Sequence, residues 1–163
     1  MFTLTIISFV LLITTMVNIG VTYIAWKRKI NQSNLFFALG MIGISLWSFA
    51  SALDYAAIPL ATKIFFAKLE AIGYHSAFAL FAVFSMYYAG TDRWLRWKWV
   101  QFLFFFIPVS NILLTLTNEL HGWIWSGFTR YDLNVVDYEH GIAFNWVVIT
   151  SYALLIFIFI NLT

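Results

Sequence analysis

Five blocks of about twenty mostly apolar residues dominate the chain, and about 20 is the length a helix needs to cross the hydrocarbon core of a bilayer. The blocks are residues 4–26, 35–57, 60–88, 100–117 and 143–162. They are continuous runs, not the one-faced stripes of soluble helices. Of the 163 residues, 63% are hydrophobic and 10% charged, whereas a soluble domain is about a quarter charged. Too few polar side chains exist to cover such a chain in water. The sequence therefore predicts an all-α membrane protein, a single bundle of five transmembrane helices in the cell membrane. No cysteine is present, so disulfides and thiolate metal sites are excluded. The first block carries no small-residue cleavage site and reads as a true span.

The basic residues orient the bundle, because cytoplasmic loops carry the excess of Lys and Arg. Lys27, Arg28 and Lys29 follow the first block; Arg93, Arg96 and Lys98 precede the fourth. Both loops are expected inside. The amino terminus is then outside, the carboxy end inside, and the segment 118–141 external. That segment holds Glu119, Asp132, Asp137 and Glu139, which fits an outer loop. Trp94, Trp97 and Trp99 suit an inner aromatic belt, and Trp123 and Trp125 an outer anchor or a cavity lid. The closing "FIFINLT" stops inside an apolar run, and the chain is expected to be a piece of a longer one.

The third block is the anomaly. "IFFAKLEAIGYHSAFALF" (residues 64–81) holds Lys68, Glu70 and His75 amid apolar residues. At 1.5 Å per residue, Lys68 lies about 7–8 Å deeper than Lys63, and His75 about 18 Å deeper, near mid-bilayer. Lys68 and Glu70 are about 200° apart on a helix and cannot pair. Lys63, Glu70 and Tyr74 share one face; Lys68 and His75 share the opposite one. In the second block Trp47, Ser51 and Asp54 share a face, which predicts an Asp54–Lys63 or Asp54–Lys68 contact. An unpaired charge here costs at least about 2.5–3.5 kcal/mol, so each ionised group needs a companion. Three readings stay open: an ionic lock between helices, an outward-open ligand cavity, or a proton relay through Glu70 and His75.

Other chemistry finds little support. Glu119, His121, Asp137, Glu139 and His140 offer nitrogen and oxygen donors, but their spacing matches no metal pattern such as H-E-x-x-H. Asn118 and Gly122 are placed to end the fourth helix. "RWLRWKW" (93–99) could stack single-stranded nucleic acid, yet beside a span it reads as a lipid-headgroup contact. No phosphate loop, nucleophile elbow or hydrolase-like carboxylate pair is present, and no Lys sits mid-span in the fifth block, as a retinal protein would need.

From about residue 35 onward the chain resembles the seven-transmembrane amino-terminal region of bacterial and archaeal sensor histidine kinases. The matching features are Trp47 on the second helix, Lys68-Leu69-Glu70 with Gly73 on the third, Tyr88 with Gly90, Pro108, and Asn118 with His121. The run "VVDYEHGIAFNW" departs from the family's Y-G-x-G-x-x-F-like segment and adds Glu139 and His140. The resemblance implies a non-enzymatic sensor module that would bind a small-molecule or lipid-like signal and pass it to a cytoplasmic kinase or cyclase domain, possible as a homodimer. The family has seven helices, so two helices and all catalytic parts would lie elsewhere. The expected ligand-binding set is Trp47, Ser51, Asp54, Lys68, Glu70, Tyr74, Asn118 and His121, with no cofactor, no metal and no nucleic acid. The readings from other classes are a small transporter or channel subunit using Glu70 and His75, and a structural membrane fragment that needs a partner.

Overall fold

The computed structural model describes residues 2–28, 31–130 and 135–163. Lys29 and Asp132, both counted in the charge bias, lie outside them. Helix α1 (Ile6–Lys27) opens with a reciprocal cap in which the Thr5 and Ser8 side chains each accept the other's backbone N–H. Helix α2 (Gln32–Ala56) starts where Asn31 accepts the Asn34 N–H at 2.9 Å, the capping expected of the polar turn. Helix α3 (Leu60–Tyr88) begins directly after Pro59, which can precede a helix but not continue one. A 3-10 turn, Asp92–Arg96, leads into α4 (Lys98–Leu116), which contains Pro108. A short α5 (Asn118–His121) follows, then strands β1 (Trp125–Arg130) and β2 (Val136–His140), and finally α6 (Phe144–Leu162).

Five of these helices are long and apolar enough to cross a membrane. Their outward faces agree with a lipid surround: Ile6 is 85% exposed, Met16 72% and Phe105 71%. In water that surface would be costly; against acyl chains it is not.

Helix α3 is the hub. It packs on α2, α4 and α6, while α1 packs on α2. The first residues fold back onto the α2–α3 turn, with the Thr3 N–H donating to the Ala56 carbonyl at 2.7 Å. That turn, the start of α1, and the hairpin lie at one end of the bundle. The basic loop residues Lys27, Arg28, Arg93, Arg96 and Lys98 lie at the other, where Lys27 sits 4.6 Å over the Tyr23 ring.

The α2–α3 contact is closer than side chains allow elsewhere. A Cβ on Gly73 would fall 2.7 Å from the Trp47 backbone nitrogen, and one on Gly43 2.8 Å from the Gly73 carbonyl oxygen. The two backbones touch, and Ala77, fully buried, stands against Gly43. Without a hydrophobic driving force inside lipid, small residues of this kind are what hold helices together.

The segment 118–141 differs from the open loop that the sequence suggests. Helix α4 ends at Leu116, and Gly122, at φ 64°, ends α5 instead. Strands β1 and β2 then pair antiparallel, with Phe128 opposite Tyr138 and an irregularity between Trp125 and Gly127. The signal for β2 was present: Val136, Tyr138 and His140 alternate with Asp137 and Glu139, a period of two.

Candidate functional site

The polar side chains of α2 and α3 sort by face as helical periodicity requires. On one side of α3, Lys63 meets Asp54 of α2. Its Nζ donates to the Asp54 backbone carbonyl at 2.5 Å and lies 3.9 Å from Oδ1. Lys63 is 1% exposed, so this is a buried cation at the mouth of the α2–α3 turn. Two and three turns deeper on the same face come Glu70 and Tyr74. The Glu70 carboxylate faces the Ser51 and Trp47 side chains and lies in the field of Asp54 and Lys63. Tyr74 meets Trp47 edge-on, with ring centroids 5.7 Å apart. The Gly43–Gly73 contact fixes the depth of this arrangement, because it pins the backbone of Trp47 against α3.

The hairpin completes the site. Its Tyr138 phenol has a buried hydroxyl with no hydrogen-bond partner among the described residues. The phenol is held above its usual range, first by burial, then by the charges of Asp54 and Glu70, and by Tyr55. The hairpin therefore brings Tyr138 into the field of the α2–α3 carboxylates. Trp125 at 5.1 Å and Phe128 at 5.6 Å pack around the Tyr138 ring. Asp54 Oδ1 is likewise buried without a hydrogen-bond donor. Sequence reasoning missed Tyr138; its alternation with charged neighbours was the available cue.

Lys68 goes the other way. Its Nζ donates to the Leu116 carbonyl at 2.9 Å and to both oxygens of the Glu119 carboxylate. Of the two contacts open to Asp54, the structure contains the one with Lys63. Glu119 is exposed, and its hydrogen bond from Lys68, then its own backbone N–H, hold its carboxyl below the usual range. Lys68 is thus a latch between α3 and the α4–α5 junction, not a neighbour of Glu70.

Asn118 and His121 hold the base of the hairpin. The Asn118 amide oxygen accepts the N–H groups of Ile124 (2.9 Å) and Trp125 (3.0 Å), and its nitrogen donates to the Trp125 carbonyl at 2.9 Å. The His121 Nδ1 accepts the Trp123 N–H at 3.0 Å, and Nε2 lies 3.1 Å from the Thr117 hydroxyl. Their polar atoms are engaged within the turn. The same turn separates two tryptophans: Trp123 points outward, 46% exposed, while Trp125 packs on Tyr138. Trp123 suits an anchor and Trp125 a lid.

The acidic and histidine side chains of segment 118–141 disperse. Glu119 pairs with Lys68, Glu139 accepts the Thr129 hydroxyl at 2.9 Å, and His140 stacks on Phe144 at 3.5 Å. Among the described residues no three His, Cys, Asp or Glu side chains converge as a metal would require.

A bundle of apolar spanning helices, with ionisable groups turned inward near one end, defines a multi-pass helical membrane protein. Residues 10–163 match the family described as the N-terminal 7TM region of histidine kinase. The match covers nearly the whole chain, and the chain belongs to that family. No curated protein and no solved structure matches it.

Proposed function

We propose that this chain is the signal-receiving region of a sensor histidine kinase in the plasma membrane, with its amino terminus and hairpin outside. A small-molecule or lipid-like ligand enters between α2, α3 and the hairpin. It contacts Trp47, Ser51, Asp54, Glu70, Tyr74 and Tyr138. The observation that carries this reading is the pair of buried oxygens without hydrogen-bond partners, Asp54 Oδ1 and the Tyr138 hydroxyl, beside the half-buried Glu70. Asp54 Oδ1 accepts and the phenol donates, so the ligand presents both a donor and an acceptor. A buried polar atom left unmatched costs about 1–3 kcal/mol, and a ligand that satisfies both favours one packing of the helices over another.

Helix α3 is the relay. It carries Lys63, Lys68 and Glu70 near the hairpin end and runs 29 residues to the basic end. Ligand binding shifts it against α4 and α6, and a cytoplasmic kinase domain, in a homodimer, reads that shift. The channel reading has less support. Glu70 turns toward α2, while His75 turns toward α6, 3.5 Å from Ser151. The two ionisable groups sit on opposite sides of α3 and trace no common path.

The test is mass spectrometry of small molecules that co-purify with the protein from its native membranes. The expected result is a compound enriched with wild type and depleted by Asp54→Asn and Glu70→Gln together. The same compounds with wild type and the double variant would overturn the cavity.

A further inference from the structure

Near the middle of the bundle, away from the hairpin, α3, α4 and α6 meet through polar side chains. His75 is 2% exposed and Asn111 1%. Each touches α6, and at neighbouring residues. The Asn111 Nδ2 donates to the Thr150 hydroxyl at 2.9 Å, and the His75 Nδ1 lies 3.5 Å from the Ser151 hydroxyl. Both groups therefore stand at one level of the bundle. Each also has a buried atom without a hydrogen-bond partner among the described residues: His75 Nε2 and Asn111 Oδ1.

Proton accounting fixes what these atoms need. The Ser151 hydroxyl donates its one proton to the Val147 carbonyl at 2.7 Å, a much better geometry than the 3.5 Å contact with His75. Ser151 Oγ is then the acceptor toward His75, so the imidazole proton sits on Nδ1. Neutral imidazole has one donor and one acceptor nitrogen, which leaves Nε2 as a bare acceptor. Thr150 repeats the pattern. Its hydroxyl donates to the Trp146 carbonyl at 2.8 Å and accepts from Asn111. The Asn111 nitrogen gives one of its two protons to Thr150, and its Oδ1 is an acceptor that no donor reaches among the described residues. Two acceptors cannot satisfy each other, and hydrocarbon offers no donor.

We propose that the α3–α4–α6 junction is a water-binding site, in which buried water donates its protons to His75 Nε2 and Asn111 Oδ1 and ties α3 to α4. Water is the occupant because it donates to both unpartnered acceptors without bringing a charge, can accept the second Asn111 amide proton, and typically serves such otherwise unmatched buried groups. A cation would satisfy both acceptors too, but no carboxylate belongs to this cluster to balance it. A water-filled joint also lets α6 shift against α3 while the polar groups remain hydrated. This inference does not rest on the cavity beneath the hairpin, and either can fail alone.

The test is solid-state NMR of the protein in lipid bilayers with nitrogen-15-labelled histidine, alongside an Asn111→Leu variant. The ring nitrogens of His75 are expected as one protonated Nδ1 and one bare Nε2. Magnetisation transfer from water to the His75 ring is expected in wild type and lost in Asn111→Leu. His75→Gln assigns the signals. A protonated Nε2, or a His75 ring that receives nothing from water in folded wild type, would overturn the site. Unchanged water transfer in a folded Asn111→Leu protein would remove Asn111 from it. Should that variant not fold, the wild-type tautomer and water transfer decide alone.

Discussion

The two sides of α3 are built on different physics. Toward α2 the contact is dry and close, with Gly43 and Gly73 bringing backbone onto backbone and a buried Lys63–Asp54 pair above them. Toward α4 and α6 the contact is looser. It is joined by the Lys68–Glu119 latch at one end and, midway, by the His75–Ser151 and Asn111–Thr150 contacts with α6. Below that, an open apolar cavity of about 490 Å³ lies among Met86, Val100, Leu103, Ile107, Leu154 and Phe157. A seam of backbone contact resists sliding; hydroxyl bonds and an apolar groove oppose it less. In the relay proposed above, α2–α3 is the frame and the α3–α4–α6 side the part that yields.

The largest effect should come from breaking the frame. Lys63→Met leaves the Asp54 carboxylate in a buried site without its cation, a change of about 3–5 kcal/mol where a buried pair is broken. The resistance of the folded bundle to denaturing detergent should fall accordingly. Gly73→Val pushes a side chain into the Trp47 backbone and should cost about 1–3 kcal/mol, the usual range for overpacking. By contrast, Ala153→Leu adds bulk to the groove and should cost less than about 1 kcal/mol. Equal penalties for Gly73→Val and Ala153→Leu would remove the distinction between the two sides.

Asn118→Ala sharpens the comparison at the hairpin. It strips the acceptor from the N–H groups of Ile124 and Trp125, and Ile124 is 3% exposed. A loss of about 1–3 kcal/mol is expected for a buried N–H left unmatched. Hydrogen exchange should quicken at these two amides while α2 and α3 stay protected.

The latch gives the smallest effect. Glu119 is exposed, and such pairs contribute about 0–1 kcal/mol. Its carboxyl pKa is depressed by Lys68, so the contribution is present above the unfolded value near 4.5 and is lost as pH falls through the lower folded value. Acidification well below pH 4.5 should loosen α5 from α3 in wild type and change nothing in Glu119→Gln, read by fluorescence of a probe on α5.

Much of this was legible because a bilayer leaves few choices. Apolar length marks the helices to within a few residues, Asn31 and Pro59 mark two of the starts, and periodicity alone parts Glu70 from Lys68 on α3. What was hidden is what lies far along the chain. Glu119 is 51 positions from Lys68, in a segment whose path no periodicity gives. Tyr138 enters the field of the α2–α3 carboxylates from a hairpin whose base Asn118 and Gly122 shape. Asn118 and His121 read as site residues through the resemblance to the family's N-x-x-H motif, and the structure shows their hydrogen-bonding atoms engaged within the turn. Gly73 carries the closest helix contact, and that depends on Trp47 and Gly43 arriving opposite it, which one helix's sequence does not announce.

In the function proposed above, the signal acts on the face of α3 that holds Glu70. Autophosphorylation of the full-length kinase in membrane vesicles tests it, with Glu70→Gln set beside Phe65→Leu, a change on the exposed surface of the same helix. Glu70→Gln should shift phosphorylation by about fivefold or more, the lower end of ordinary allosteric coupling, while Phe65→Leu stays at the wild-type level. Wild-type phosphorylation in a correctly folded Glu70→Gln kinase, with and without extracts of its native membranes, would contradict the account.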